Sequence, residues 1–368
     1  MTETLSRRAL NRALLARQLL LRRERRSAAS VVEHLVGLQA QAPNPPYFAL
    51  RARIDEFDPA ELAGLLTDRG AVRATAMRGT IHLLTAADYR RFRELFQPML
   101  TQAFTRSQWF SAVADLDLAE VVAEGRRILA DAPLGNPALA EQLQRRWPEH
   151  DGKALVTAVQ YLSPLVQVPP RGIWGSSGLP VHAAAEAWLG APVAAEPEAE
   201  ELVLRYLAAF GPASVLDVQA WCGLTRLGEA VERLRPRLLT FQDESGRELF
   251  DLPDAPRPDP RTPAPPRLLG EFDQILLGHA DRARIISDED RARVFTINGL
   301  VRGTFLVNGF VHGIWRTTIR RKVAGLELRP FRPVAARSVE ILTSEAHRLL
   351  AFAAPRAESR QVNVAGPA

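Results

Sequence analysis

Two glutamines separated by one residue, Gln39 and Gln41, are the side chains whose type and spacing most suggest chemistry. They follow an apolar stretch with helical spacing and precede the helix-breaking run Pro43-Asn44-Pro45-Pro46. A glutamine amide does not titrate, but it both donates and accepts hydrogen bonds and can therefore hold a water molecule. We predict that both glutamines lie in the last, unwinding turn of a helix that ends at Gln41. The local pattern fits two solvated polar residues equally well.

Other candidate catalytic side chains give weaker signals. His82 alternates with apolar residues in GTIHLL and fits either a buried histidine or an accessory residue of a site. Asp273 lies in the apolar segment EFDQILLG and fits either a structural carboxylate or an accessory group. The seven histidines and the one cysteine, Cys222, show no metal-ligand spacing, and there is no phosphate-binding loop or nucleophilic serine motif. The sequence therefore predicts neither a metal nor a cofactor.

The composition is that of a soluble globular protein with several domains. Of the 368 residues, 46% are hydrophobic and 24% are charged, which argues against disorder. No apolar run reaches the length of a membrane span, and the charged N-terminus does not resemble a signal peptide. We therefore expect a cytoplasmic, nucleoid-associated protein without membrane contact.

The positive charge is concentrated near both ends of the chain. The formal net charge is +5, and arginines outnumber acidic residues over residues 1–30 and 282–337. Two basic segments suit a protein that closes around a polyanion. Simple solvation of arginine-rich helices remains the alternative interpretation. Lys153 and Lys322 are the two lysines of the sequence, so there are few candidates for Schiff-base chemistry.

The order of the predicted elements suggests tandem winged-helix units. Three passages each run from short helices to a β-hairpin, which is the order of a winged helix-turn-helix. We predict an α+β fold with units at 1–112, 113–192 and 193–255 and a C-terminal β-rich region at 268–360. The proline-rich segment 253–267 is predicted to be a connector, and the C-terminal segment QVNVAGPA, residues 361–368, a frayed tail.

The strongest hairpin signal in the chain is Asn308-Gly309, which lies between two apolar strands. We predict that this hairpin, residues 304–315, projects from the body and enters a groove of DNA. An inert sheet edge is the alternative. The residues predicted to bind DNA are Val307, Asn308, Gly309, Phe310, His312 and Arg316.

Several short motifs, taken in order, resemble the AlkZ-type winged-helix DNA glycosylases. They are QAQ after VEHLVGLQ, then RGTIHLLTAADYR, PPRGIWG, EFDQILLGHADRAR and HGIWR, and together they cover nearly the whole chain. The resemblance implies a C-shaped set of tandem winged helices around a basic channel. It also implies excision of N-alkylated purines, with one branch of the family unhooking interstrand crosslinks formed by azinomycin B. The catalytic motif of the family, glutamine-aliphatic-glutamine, falls on Gln39 and Gln41, whereas a sister branch has an acidic residue at the second position.

The resemblance implies a DNA glycosylase that acts on double-stranded DNA. With only two lysines it should be monofunctional, and the lack of an obvious dimerisation segment predicts a monomer. An N7-alkylated purine is already cationic and leaves as a neutral base, so no general acid is needed. The two amides would hold water and stabilise a sugar with oxocarbenium character. Two other classes stay open, a winged-helix transcriptional regulator and a non-catalytic protein that binds damaged DNA. Strand breaks at lesions after alkali treatment would distinguish an enzyme from both.

Overall fold

The structure is a computed structural model that describes residues 3–196 and 198–367. The first segment of the chain combines short helices with a β-ribbon. Several of its helices begin at a side-chain cap, as at Ser6, Ser27 and Asp58. Its elements are β1 (Thr4–Leu5), α1 (Arg7–Arg17), α2 (Ala28–His34), β2 (Leu38–Gln39), α3 (Pro45–Arg53), α4 (Pro59–Thr67), β3 (Ala71–Thr75), β4 (Ile81–Thr85), α5 (Ala86–Phe92) and α6 (Gln97–Thr105).

The second segment again places helices before paired strands. Asp117 and Asp151 cap its two longest helices by accepting hydrogen bonds from backbone N–H groups of the first turn. Its elements are α7 (Leu118–Asp131), β5 (Leu134–Gly135), α8 (Asn136–Gln144), α9 (Gly152–Leu162), β6 (Leu165–Gln167), β7 (Val181–Ala184) and α10 (Ala185–Leu189).

The third segment has three helices and a hairpin. Ser214 and Asp217 form a capping box at the start of its second helix, and Gly223, with a φ of 84°, ends that helix. Its elements are α11 (Ala199–Phe210), α12 (Val215–Cys222), α13 (Gly228–Leu234), β8 (Leu239–Asp243) and β9 (Glu248–Asp251).

The C-terminal segment is a sheet covered by one long helix. Alternate residues of its strands are buried against that helix, as Ala324, Leu326 and Leu328 are. Its elements are β10 (Arg267–Leu269), α14 (Asp288–Val294), β11 (Thr304–Val307), β12 (Phe310–Arg320), β13 (Val323–Pro330), α15 (Ala336–Ala353) and β14 (Ser359–Val364). The predicted α+β class is confirmed. No helix of the described residues is both long and apolar enough to span a lipid bilayer.

Two sheets join segments that are distant in the sequence. One has the strand order β2-β4-β3-β6-β7-β5, and Arg73 of β3 pairs with Gln167 of β6 where the first and second segments meet. The other has the order β1-β8-β9, so the N-terminal strand belongs to the sheet of the third segment. The predicted boundaries at residues 112, 192 and 255 stay a prediction.

The prediction of a frayed C-terminal tail over residues 361–368 is wrong for residues 361–364. They belong to β14, which pairs in parallel with β13, and Leu326 lies opposite Val362. The alternation in QVNV places Val362 and Val364 against the apolar cluster beneath α15, and this burial offsets the entropy cost of ordering the tail. Ala368 lies outside the described residues.

Two buried ion pairs connect the N-terminal helices to later parts of the chain. Arg17 of α1 donates two hydrogen bonds to Asp251, at 2.6 and 2.8 Å. Arg53 of α3 donates two to Asp273, each at 2.8 Å. All four side chains are fully buried. Removing one partner of either pair would leave an unpaired buried charge, which typically costs about 3–5 kcal/mol.

Candidate active site

The Gln39-Ala40-Gln41 triplet begins at the last residue of strand β2 and not at the end of a helix, so the predicted helical position is wrong. Helix α2 ends at His34, and the next residues reverse the chain in left-handed conformations, with φ values of 56° at Val36 and 94° at Gly37. A Cβ atom at Gly37 would lie 2.9 Å from the carbonyl oxygen of Leu83, so the turn requires glycine here.

Strand β4 lies alongside both glutamines. Gln39 of β2 lies opposite His82 of β4, and the Ala40 N–H continues the ladder by donating to the Ile81 carbonyl at 2.7 Å. Gln41 lies in the bend that follows and is joined to β4 by the Ile81 N–H, which donates to its side chain. Pairing with β4, and not an unwinding helix turn, therefore places the two glutamines.

The amide of Gln39 is held by a half-buried arginine. Gln39 is only 8% exposed, and Arg78 Nη2 donates to its Oε1 at 2.9 Å. A guanidinium group has donors and no acceptor, so the amide must turn its oxygen toward Arg78 and its Nε2 away. This partner assigns the amide orientation by chemistry.

The amide of Gln41 is held by the backbone. The Ile81 N–H donates to Gln41 Oε1 at 3.1 Å, which again turns the oxygen toward the protein. Gln41 is exposed, unlike Gln39. Each amide retains its Nε2 donors and a second lone pair on its oxygen.

His82 lies beside this pair as a neutral base. Its Nδ1 is 3.1 Å from the Thr80 carbonyl, which only accepts, so Nδ1 carries the proton. Its Nε2 lies 3.4 Å from Arg78 Nη2, a donor. Burial, reinforced by the charge of Arg78, lowers the pKa of His82 to about 3. At neutral pH the only ring N–H of this side chain is the one on Nδ1, which donates to the Thr80 carbonyl. It therefore has no further proton to give to a leaving group.

Arg78 is the residue that links the pair to the third segment. It has a φ of 55°, and its Nη1 donates to the carbonyl of Trp221 at the end of α12. A helix C-terminus carries partial negative charge, which suits a cation. Burial lowers the pKa of Arg78 to about 10, which leaves it charged at neutral pH. Gly223 permits this approach, because a Cβ there would lie 3.0 Å from Arg78 Cα.

A second arginine, Arg73, is buried and supports the backbone of the triplet. Arg73 Nη2 donates to the carbonyl of Ala40 at 2.7 Å. Burial, with the nearby charge of Arg171, lowers the pKa of Arg73 to about 10. Gly172, with a φ of 98°, lies directly against Arg73, and a Cβ there would be 2.6 Å from Arg73 Cδ. Arg73 and Arg78 thus fix the triplet from two sides.

Sequence reasoning missed both arginines. In the sequence, Arg78-Gly79 has the pattern of a turn, and Arg73 is one residue of an alternating strand, so neither pattern indicates a site. The one usable signal was the position of Arg78 four residues before His82 in a segment already suspected of lying near the site. Their contacts with the triplet depend on strand pairing, which local patterns do not specify.

Asp273 has a structural environment. Both of its carboxylate oxygens accept from Arg53, and Oδ1 also accepts from the Ile275 N–H at 3.2 Å. Its side chain is fully buried. These contacts account for a carboxylate in an apolar segment, and an accessory role at the site stays a prediction.

The prediction that the Asn308-Gly309 turn projects from the body is wrong. The turn forms as the sequence predicts, with φ values of 50° and 85°, but it packs on α1. Asn11 donates to the Gly309 carbonyl at 2.8 Å, and Arg12 donates to Asn308 Oδ1 at 2.7 Å. Turn chemistry specifies the reversal of the chain and not its exposure.

The following hairpin is the exposed one. Strands β12 and β13 pair from Gly313↔Pro330 to Arg320↔Val323. The turn carries three exposed basic residues, Arg320, Arg321 and Lys322, flanked by exposed Ile319 and Val323. This ribbon is positively charged and has the exposed position that was predicted for the hairpin at residues 304–315.

A groove of about 750 Å³ lies between this hairpin and the loop that follows the glutamines. Arg316 and Arg321 line it on the hairpin side, and Asn44, Phe48 and Trp174 line it on the other. Of the residues predicted to bind DNA, Arg316 lines this groove within the described part of the chain, whereas Val307, Asn308, Gly309, Phe310 and His312 do not. A DNA-binding role for those five stays a prediction.

No group of three or more His, Cys, Asp or Glu side chains within residues 3–196 and 198–367 is placed to hold a metal ion. The polar groups around the glutamines are instead amides, guanidinium groups and a neutral imidazole. Such groups orient water by hydrogen bonding and fixed dipoles.

Comparison with known proteins agrees with the motifs. The model of a family described as "DNA glycosylase AlkZ-like" matches residues 32–352. A Streptomyces sahachiroi protein named "Interstrand DNA cross-link repair glycosylase" is 27% identical over 321 residues, which are 81% of this chain and 84% of that protein. The structure of Streptomyces sahachiroi DNA glycosylase AlkZ has the same fold, with a TM-score of 0.82 over 98% of this chain and 100% of that chain, at 23% identity.

The family match confirms the resemblance drawn from QAQ, RGTIHLL, PPRGIWG, EFDQILLGH and HGIWR. It spans most of the sequence and includes Gln39, Gln41, Arg73, Arg78 and His82. The chain therefore belongs to the AlkZ-like DNA glycosylase family.

Proposed function

We propose that this protein hydrolyses the N-glycosidic bond of cationic N7-alkylated purines in double-stranded DNA and acts as a monomer. The observation that carries the proposal is the pair of amides at Gln39 and Gln41, whose oxygens are both turned toward fixed donors. Two oriented amides side by side form a preorganised dipolar site, which needs little reorganisation when charge develops.

The substrate class follows from the absence of a proton donor in the proposed mechanism. An N7-alkylated purine carries a positive charge and departs as a neutral base, so its departure needs no acid. The neighbouring His82, with a pKa of about 3, is suited to orienting groups and not to protonating a base at neutral pH. Uracil, a neutral base that leaves as an anion, should accordingly be a poor substrate.

The nucleophile in this proposal is water. Each amide keeps Nε2 donors and one lone pair on Oε1, which suffice to hold a water molecule against the face of the sugar carbon. Because glutamine does not titrate, the amides act by positioning this water, to which each can donate from Nε2 and from which each can accept with the remaining lone pair of Oε1. The water loses its proton to solvent as the carbon–oxygen bond forms.

The reaction should stop at an abasic site. Strand cleavage by a glycosylase of the Schiff-base type needs a lysine at the sugar. Lys153 is exposed at the start of α9, and Lys322 is paired with Glu358 at the hairpin turn. Neither belongs to the set of residues that surrounds Gln39 and Gln41.

We extend the substrate range to interstrand crosslinks, including those formed by azinomycin B. The support is the name of the Streptomyces sahachiroi relative, an interstrand DNA cross-link repair glycosylase. The groove beside the β12–β13 hairpin has a volume of about 750 Å³ and suits a substrate that stays bonded to both strands.

Excision assays with site variants test the proposal. A duplex containing 7-methylguanine is incubated with excess protein, treated with alkali and scored for strand breaks at the lesion. Gln39→Ala and Gln41→Ala should each lower the single-turnover rate by about 10²–10³. Duplex affinity should change little, because the amides act on the transition state. Gln102→Ala, an exposed glutamine on α6, is the matched control.

The same assay separates the alternative classes. Breaks that require alkali indicate a monofunctional glycosylase, whereas breaks without alkali would contradict the proposed hydrolysis. Sequence-dependent binding without breaks would instead identify a transcriptional regulator, and lesion-dependent binding without breaks a damage-binding protein. Unchanged rates in both glutamine variants would place the catalytic site elsewhere.

A further inference from the structure

A polar recess lies beside Gln41 on the six-stranded sheet, and we propose that it receives the purine of a monoalkylated lesion. The recess has a volume of about 250 Å³. Thr75 of β3 and Ile81 of β4 line it on the side of the glutamines, and β6, β7 and α9 line the opposite side. The polar residues of its lining are Gln41, Thr75, Asn136, Gln160, Tyr161, Gln167 and His182.

The lining is polar but carries no charge. Its polar groups are amides, hydroxyls and the imidazole of His182, whose pKa burial lowers to about 4. Phosphate sites use guanidinium or ammonium groups, and metal sites use carboxylates, thiolates or clustered imidazoles. An uncharged set of donors and acceptors with apolar walls at Ile81 and Leu165 suits a heterocyclic base, whose edge carries hydrogen-bond donors and acceptors.

Two of these groups are deeply buried, and the amide oxygen of one of them has no hydrogen-bond partner among the described residues. Gln167 is 9% exposed, and its Oε1 has no hydrogen-bond partner in the described part of the chain. His182 is 8% exposed and has Gln160 Nε2 at 3.5 Å from its Nδ1. Buried polar groups are usually paired, so an unpaired acceptor here points to a ligand that brings its own donor. The N–H groups of a guanine ring provide such donors.

The size of the recess restricts the ligand. Sites for drug-sized molecules occupy roughly 300–1,000 Å³, so this recess suits one nucleobase with a small alkyl group and not a bulky adduct. A monoalkylated purine can rotate out of the stack into such a site at the cost of unstacking. A crosslinked purine remains bonded to the opposite strand and cannot follow that path.

The inference rests on the proposed glycosylase function and adds a division between two substrate classes. The recess assists excision of monoalkylated purines, whereas crosslinked purines react at Gln39 and Gln41 without entering the recess. The two classes should therefore respond differently to changes at Gln167 and His182.

The test compares both substrates in one set of variants. Gln167→Met keeps the length of the side chain and removes its polar end, and Gln361→Met, at an exposed position on β14, is the control. Gln167→Met should slow single-turnover excision of 7-methylguanine about tenfold, in the range expected for losing one positioned contact. Its excision of an N7–N7 crosslink should stay within about twofold of the unmodified protein. Equal losses on both substrates, or no loss on either, would overturn the inference.

Binding of the free base gives a readout that does not depend on catalysis. Saturation-transfer NMR with 7-methylguanine should detect binding to the unmodified protein and to Gln361→Met, and loss of that binding in Gln167→Met. Failure of the unmodified protein to bind the free base would reject the recess as a base site even if excision is observed. Conversely, binding of the base without excision of any lesion would reject the proposed function and leave the recess supported.

Discussion

Arg78 contacts three elements through one guanidinium group. It donates to Gln39 on β2, faces His82 on β4 and donates to the last turn of α12 through the Trp221 carbonyl. Its left-handed backbone places it in the turn between β3 and β4, against Gly223. The orientation of the Gln39 amide therefore depends on a helix that lies about 180 residues later in the sequence.

Replacement of Arg78 by lysine should lower excision without loss of the fold. Lysine keeps the charge, but its single ammonium group cannot reproduce the planar fork that reaches Gln39 and Trp221 together. We expect the single-turnover excision rate to fall by about 10- to 100-fold, since one oriented amide is lost. Duplex affinity and melting temperature should stay close to those of the unmodified protein.

Arg69→Lys is a suitable control for that variant. Arg69 also has a left-handed φ, of 63°, and also donates to a tryptophan carbonyl, that of Trp188, but it is exposed. It should excise normally. A parallel drop in melting temperature for Arg78→Lys would show a structural role in place of a positioning one.

At the residue scale, the sequence predicted the glutamine pair but not its supports. Gln39 and Gln41 are recognisable because two amides one residue apart before a proline-rich run are unusual, and the family motif coincides with them. Arg73 and Arg78 are two of many arginines in the chain, and their contacts with the triplet arise from tertiary packing. Apart from the position of Arg78 four residues before His82, composition and spacing carry no signal that separates them from arginines at the surface.

At the scale of elements, the β12–β13 hairpin is the part of the chain best placed to meet phosphate. Its turn carries Arg320, Arg321 and Lys322, all exposed, and its base lines the 750 Å³ groove. Lys322 is already paired with Glu358. The two arginines therefore carry most of the charge that this turn can offer to DNA.

Neutralising the hairpin turn should weaken binding to undamaged duplex and reduce its salt dependence. Each phosphate contact contributes about 0.9 to the slope of log affinity against log salt concentration. Changing Arg320, Arg321 and Lys322 to glutamine should lower the slope by about 2, because Lys322 shares its charge with Glu358. Fluorescence anisotropy titrations between 50 and roughly 200 mM salt measure it.

A matched triple variant controls for the change in net charge. Arg127, Arg145 and Arg261 are each paired with a nearby carboxylate, so they should contribute little to phosphate binding. Their replacement by glutamine should leave the salt slope unchanged. An equal fall in both triples would mean that only the overall charge matters.

Element order was largely predictable from the sequence, and element positions were less so. Cap residues and Gly-Pro breaks located the helices of the third segment, and Asn-Gly located a real hairpin at residues 304–315. The apolar spacing of α2 continues through Leu38, and this spacing predicts that the triplet is helical. The left-handed residues Val36 and Gly37 end that helix instead, and Val36 is not a residue expected there.

At the scale of the whole molecule, buried neutral histidines make stability depend on pH. Burial lowers the pKa of His82 to about 3 and of His182 to about 4, and it also lowers the pKa of His279. In the unfolded chain these groups titrate near 6.5. Between those values the unfolded chain binds more protons than the folded one, so acid favours unfolding.

The free energy of unfolding should thus be at its full value above about pH 6.5 and should fall as the pH decreases toward 4. Urea denaturation at pH 7.5, 6 and 5 measures this dependence. His279→Gln, which can still donate to the Phe210 carbonyl, should flatten it, and His347→Gln at an exposed position should not. Equal denaturation midpoints at pH 7.5 and pH 5 would contradict the assignment.

Two of the sheets contain strands from different segments of the chain, and no local sequence pattern predicts this. The helices and hairpin of each segment are predictable from local patterns, but the pairing of Arg73 with Gln167 and of β1 with β8 depends on contacts far apart in sequence. Such pairings place the recess beside Gln41 and hold the N-terminus. They follow from burial across the whole molecule, which a reading of periodicity along one stretch does not capture.

The pairing of β1 with β8, together with the Arg17–Asp251 bridge, has a consequence for synthesis on the ribosome. The partners of α1 are made 234 residues after Arg17. At a translation rate of about 5–20 residues per second, that helix waits roughly 10–50 s for them. The Trp221 carbonyl that holds Arg78 emerges in the same interval. A nascent chain therefore carries Gln39 long before the Trp221 carbonyl can hold Arg78 beside it, and we expect an unfinished polypeptide to be unable to excise a base.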